Sequence, residues 1–127
     1  MEQKKLTLND IKRVMGGFSD RTKTVQWHSA SFDVKPMLTV DEYITTIRNI
    51  IGDCRSSDGE NIALELVDFS IKANIIAAYA FVELPKDANS LFNIVYRSDL
   101  YEYICKVANS KQIEAIKEAV WTIIRII

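Results

Sequence analysis

Residues 61–85 read NIALELVDFSIKANIIAAYAFVELP, the longest stretch that reads as a single element. From Ala73 to Val82 only Asn74 is strongly polar, so this half is apolar nearly all the way round, the mark of a helix buried on several sides. The earlier half carries Glu65, Asp68, Ser70 and Lys72, too many polar groups for a bilayer span of about 20 predominantly apolar residues. The stretch therefore predicts a central core helix. Pro85 pushes Leu84 out of the helical region, which places the helix end near Val82 or Glu83.

Upstream, residues 39–51 give a second strong helix signal. Thr39 with Glu42 three positions on makes a capping box, and Leu38 facing Tyr43 makes a hydrophobic staple. Val40, Tyr43, Ile44, Ile47, Ile50 and Ile51 share one face, opposite Asp41, Glu42, Thr45, Thr46, Arg48 and Asn49, and Gly52 suits the left-handed position after the helix. Before Pro36 the pattern changes to strand spacing. Val25 and Trp27 alternate with Gln26 and His28, and Phe32 and Val34 with Ser31 and Asp33, but the two alternations are out of phase. A turn or bulge near Ser29 to Ser31 must re-aim the face, giving a hairpin or bent strand over 24–35. Further upstream, Leu6 to Met15 reads as a short helix opened by Thr7 and Asp10 and stopped by Gly16 and Gly17. The polar residues that follow read as a hinge, so that 1–17 forms an arm.

Downstream, Asp87 caps a helix carrying Leu91, Phe92, Ile94 and Val95. Ser98 opens another, or marks a kink, and Asn109 with Ser110 introduces a last helix whose Ile113, Ile116, Val120, Ile123, Ile124 and Ile127 form a stripe. The fold expected is mainly α: a small N-terminal β-ribbon plus four or five helices around a central buried helix, with 39–127 as the helical core of a single 1–127 domain. A chain of 127 residues is long enough to bury such a core without a disulfide or metal.

Sixteen Lys and Arg against 17 Asp and Glu leave a formal charge of -1, with no bulk attraction to nucleic acid or to anionic membrane. The basic residues Lys4, Lys5, Lys12, Arg13, Arg21 and Lys23 give the first 23 residues a local positive excess over Glu2, Asp10 and Asp20, which reads as a solvated arm; nucleic acid is not the expected partner. Cys54 and Cys105 sit in no metal or redox spacing and point to reduced thiols in a reducing compartment. With one histidine and two isolated cysteines the chain offers no zinc ligand set. His28 as a catalytic base lacks a companion nucleophile and reads as a ribbon-face side chain. Asp53 and Asp58 flank a glycine-containing loop without the regular ligand placement of a calcium hand. Gly16 and Gly17 lack the Lys-Ser/Thr of a phosphate loop. Glu65 and Asp68 lie one turn apart on the expected wet face of the central helix. No catalytic residue, cofactor or metal is expected, and no enzyme.

Two features read as interaction surface. Trp27, His28 and Phe32 place aromatic groups on a short strand pair, and the ending WTIIRII, with Trp121, Ile124, Ile126 and Ile127, stays apolar to its last residue.

The order FDVKPMLTVDEYITTIRNII, DFSIKANIIAAYAFVELP and NIVYRSDLYEYI resembles small proteins from tail and neck gene clusters of bacteriophages and prophages of gut bacteria. The matching residues are Val34-Lys35-Pro36, Phe81 to Pro85, and Val95-Tyr96 through Asp99, within roughly 30–105; Val95 stands where the pattern has Ile, and the Leu6 to Met15 arm has no counterpart in it. These residues are structural punctuation, so the resemblance implies an origin and an architecture but no functional residue. It implies a non-enzymatic phage protein acting through protein contacts in virion assembly, as a neck or tail component or a tail assembly chaperone. Its partners would be other phage structural proteins or itself as a homo-oligomer, without a membrane. Its place would be the host cytoplasm during assembly, and the virion if it stays in the particle. The alternative is a small phage inhibitor of a host enzyme or defence nuclease.

Overall fold

The computed structural model describes residues 3–15, 22–55 and 59–127. The hinge expected from Gly16 and Gly17 onward, and Asp58, lie outside the described residues. In chain order the elements are α1 (Leu8–Val14), β1 (Lys23–Trp27), β2 (Ala30–Val34), α2 (Val40–Asp53), α3 (Val67–Tyr79), α4 (Ala88–Arg97), α5 (Leu100–Val107) and α6 (Ser110–Ile126). A 3-10 turn, Leu64–Leu66, leads into α3.

Helix α3 is the hub. It packs against α2, α4 and α5, while α6 closes the other side of α2 and α5. Val67, Ser70, Ile71, Ala73, Ile75, Ile76 and Tyr79 are all buried along it, so burial runs round most of its circumference, as its all-round apolar sequence requires. Ile50 of α2, Ile104 of α5, and Ile113, Ile116 and Val120 of α6 complete the core. Each such side chain contributes about 1.5–3 kcal/mol on leaving water.

The helix is shorter than its sequence suggests. It begins at Val67, after residues 61–63, where Ile62 makes an antiparallel bridge to Arg55. It ends at Tyr79 and not near Val82 or Glu83, because the backbone turns out to serve as strand. Ala80 bridges Val34, the Phe81 N–H donates to the Asp33 carbonyl at 2.9 Å, and the Lys35 N–H donates to the Tyr79 carbonyl at 2.7 Å. Strand pairing takes over the backbone groups three or four residues before the end that Pro85 would impose near Val82 or Glu83.

The ribbon is a plain antiparallel hairpin with Val25 opposite Phe32 and Trp27 opposite Ala30. Opposed residues share a face, so the odd set of β1 and the even set of β2 point the same way, and the phase change needs no bulge. The turn is at His28 and Ser29, slightly earlier than expected. His28 takes a positive φ of 55°, a region histidine enters more readily than most residues, so it is a turn residue and not a ribbon-face side chain.

Helix α2 has both halves of its capping box: the Thr39 hydroxyl accepts from the Glu42 N–H at 3.3 Å and the Glu42 carboxylate accepts from the Thr39 N–H at 3.0 Å. Its buried face, however, is turned from the expected one. Thr46 is buried with Ile47, Ile50 and Ile51, whereas Val40 and Ile44 are exposed. Leu38, held through its backbone, fills the core ahead of the helix in place of Val40. Thr46 tolerates burial because its hydroxyl donates to the Glu42 carbonyl at 2.7 Å. The helix also runs past Gly52 to Asp53. The Cys54 N–H donates to the Ile51 carbonyl and the Arg55 N–H to that of Gly52, a tightened last turn that needs no left-handed residue.

The break between α4 and α5 is real. Ser98 accepts from the Leu100 N–H at 3.3 Å and donates to the Ile94 carbonyl at 2.5 Å, while Asp99 occupies the position before α5 with its carboxylate turned away. Asp87 and Asn109 cap α4 and α6 through Ser90 and Gln112 N–H groups, both at 2.9 Å.

Candidate functional site

The ribbon is held to the start of α5 by side chains. Trp27 Nε1 donates to Asp99 Oδ1 at 2.8 Å, and His28 Nε2 lies 3.2 Å from the same oxygen. The Trp27 and His28 rings meet edge to face with centroids 4.9 Å apart. The bond from Trp27, followed by that from His28, holds the Asp99 carboxyl below its ordinary range. One helical turn on, the Tyr103 hydroxyl donates to the Gln26 carbonyl at 2.6 Å and the Tyr103 ring meets Phe32 edge to face at 6.2 Å. Trp27 and Phe32 are half-buried in this contact and His28 stays exposed. Asp99 and Tyr103 were not singled out from the sequence; their spacing of four puts them on one helix face, which is the signal available.

The C-terminal residues lie elsewhere. Ile124 is half-buried against the core, Trp121 is at the margin of exposure, and Ile126 and Ile127 are 78% and 65% exposed. The structure does not bring them together with the ribbon residues into one site.

Helix α1 is a third apolar surface. Its capping box is present, with the Thr7 hydroxyl accepting from the Asp10 N–H at 3.1 Å, yet none of its residues is buried. Leu8, Ile11, Val14 and Met15 all face solvent, Val14 at 82% exposure.

A fourth surface sits where α3 and α4 cross. The rings of Phe69, Phe92 and Tyr96 stand 4.6–6.3 Å apart. Phe92 and Tyr96 remain 49% and 42% exposed. The Tyr96 hydroxyl donates to Asp68 at 2.6 Å, and its pKa is pushed up to about 12, first by burial and then by that carboxylate. Lys72 pairs with Asp68 at 3.3 Å and stands 5.1 Å from the Tyr96 ring centre. Asp68 is exposed in the first turn of α3, whereas Glu65, expected on the same helix face, is exposed in the 3-10 turn that precedes the helix.

Between α2 and α3 runs a groove of about 370 Å³ lined by Lys35, Asp41, Glu42, Thr45, Thr46, Asn49 and Asn74, with Ala77 and Ala78 on its apolar side. Lys35 and Glu42 are paired across it, which holds Glu42 ionised to lower pH than usual. Asn74, the one polar residue of the apolar half of α3, donates to Asp53 at 3.0 Å and to the Ser70 carbonyl at 2.9 Å. Among the described residues no group of three or more His, Cys, Asp or Glu side chains is placed to hold a metal ion, and no helix is long and apolar enough to cross a membrane.

Comparison with protein-family models, with curated proteins and with solved structures returns no match to this chain.

Proposed function

We propose that this chain is a non-enzymatic bacteriophage protein that acts through protein contacts in virion assembly, as a neck or tail component or a tail assembly chaperone. The observation that carries the reading is α1, a capped amphipathic helix whose apolar side chains are all exposed. A helix this short is marginal in water unless its apolar face packs on something, and a capped apolar stripe is the form in which helices enter hydrophobic grooves. The exposed end of α6 adds a second apolar contact surface. The phage setting rests on the resemblance of residues 30–105.

The test is co-purification of the tagged chain with co-expressed head-completion and tail proteins of its own phage, before and after Ile11→Asp. Retention of a virion protein by the parent and its loss with Ile11→Asp supports the reading. A chain that ignores every virion protein and remains strictly monomeric overturns it, and a host nuclease or metabolic enzyme held stoichiometrically in their place would make the inhibitor reading the correct one.

A further inference from the structure

We infer that α1 of one copy docks on the aromatic surface at the α3–α4 crossing of a second copy. The inference deepens the protein-contact reading by naming the partner of the arm, and rests on it.

Three observations converge. The first concerns shape. Leu8, Ile11 and Met15 follow one another at the three- and four-residue steps of a single helix face, with Val14 beside them. The rings of Phe69, Phe92 and Tyr96 form an apolar shelf for such a stripe, extended by Leu66, three residues before Phe69 and also exposed. The second concerns vacancy. If the arm lay on the shelf of its own chain, both would be covered, yet α1 has no buried residue and Phe92 and Tyr96 are open to solvent. The third concerns charge. The first 23 residues hold six basic and three acidic groups, whereas residues 24–127 hold ten basic and 14 acidic. In the 3-10 turn ahead of α3 Glu65 is exposed beside Leu66, and Asp68 follows in the first turn of α3, with Lys72 as its own partner. Lys12 flanks the apolar stripe of the arm, whereas Arg13 lies on the opposite face of the helix, paired to Asp10 at 3.0 Å. Among the described residues, Lys12 is thus the cation of the arm helix with no ion pair of its own, and it is the one that Glu65 can meet.

A chain that carries both a surface and its complement associates head to tail, each copy giving an arm and receiving one, as a reciprocal pair, as a ring where the rotation closes, or as an open chain of copies where it does not.

The experiment is solution mass by light scattering over a concentration series. The parent should associate reversibly. Ile11→Asp, which spoils the arm, and Phe92→Ser, which spoils the shelf, should each be monomeric where the parent is not. An equal mixture of the two should regain a two-chain species, because one partner keeps a good arm and the other a good shelf. Leu66→Asp serves as the shelf variant if circular dichroism shows that Phe92→Ser has lost its fold. Lys12→Glu or Glu65→Lys alone should weaken association about threefold, the scale of one exposed ion pair, and the two together in one chain should restore it. Ile126→Ser with Ile127→Ser should leave the mass unchanged.

A parent that stays monomeric at every concentration overturns the inference, while leaving the arm free to serve another virion protein. A mixture that stays monomeric, or loss of association with the C-terminal pair, overturns it as well.

Discussion

The Tyr79 hydroxyl, at the end of the central helix, donates to Gln112 Oε1 at 2.5 Å, and the same oxygen accepts from the Leu38 N–H at 2.8 Å while Gln112 Nε2 donates to the Leu38 carbonyl at 3.1 Å. One side-chain amide thus joins the last helix to the chain ahead of α2 and to the fully buried Tyr79. Burial raises the Tyr79 pKa well above the ordinary value, keeping it a donor throughout the useful pH range. Gln112→Ala strands all of these groups at once and should cost about 2–3 kcal/mol, against about 1 kcal/mol for Tyr79→Phe, which removes a donor and leaves Gln112 its other bonds. Urea denaturation of both variants measures the difference; equal losses would mean that Gln112 acts through Tyr79 alone.

Tyr101 presents the opposite case. Its hydroxyl is buried with no nitrogen or oxygen partner among the described residues and only the weakly bonding Cys105 thiol beside it, and the Lys72 and Lys117 amines each stand 5.5 Å from its ring centre. Because an unsatisfied buried hydroxyl is costly, Tyr101→Phe keeps the ring contacts and should stabilise the fold by about 0.5–1 kcal/mol. A loss of stability on thermal melting would mean that the hydroxyl has a partner after all.

The Trp27–Asp99 bond should make the ribbon sensitive to acid. Asp99 titrates lower in the folded chain than the ordinary aspartate near 3.9, so its stabilising effect is complete above that value and is lost as pH falls through the folded pKa. In a Trp121→Phe background, Trp27 fluorescence should shift over that acid range, and Asp99→Asn should abolish this acid transition. A transition that persists in Asp99→Asn would assign it to another carboxylate.

At the C-terminus, position decides cost. Ile126→Ser and Ile127→Ser should each leave stability within about 0.5 kcal/mol, while Ile124→Ser, at a half-buried site against the core, should cost more than about 1 kcal/mol. Melting temperatures of the three single variants decide it; three equal losses would place the last residues in the core.

The sequence carried the helices that are strongly patterned. The Thr39 box, the Asp87 and Asn109 caps and the all-round apolar α3 need only local information, because caps and periodicity act over a few residues. What it did not carry was set by contacts between distant parts. Tyr79 ends α3 because Val34 stands beside Ala80, 46 positions away in sequence. Thr46 lies inward because Leu38 is held by Gln112, and nothing in residues 39–51 announces that. Trp27 and Phe32 stood out by type, whereas Asp99 and Tyr103, which hold them, are ordinary residues until the ribbon folds over α5. The arm's exposed stripe was visible as periodicity, and the shelf at the α3–α4 crossing was not, since Phe69 and Phe92 belong to different helices.

The tie between Val34 and Ala80 has a mechanical consequence. Lys23, where the arm enters the ribbon, is paired with Val34, so tension on the arm and the anchorage of the ribbon to α3 act at the same end of the hairpin. A pull on the arm therefore opens the strand pairs one after another, from Lys23 toward the His28 turn, with the Trp27 grip on Asp99 yielding last. Pairs broken in sequence resist far less than pairs broken together.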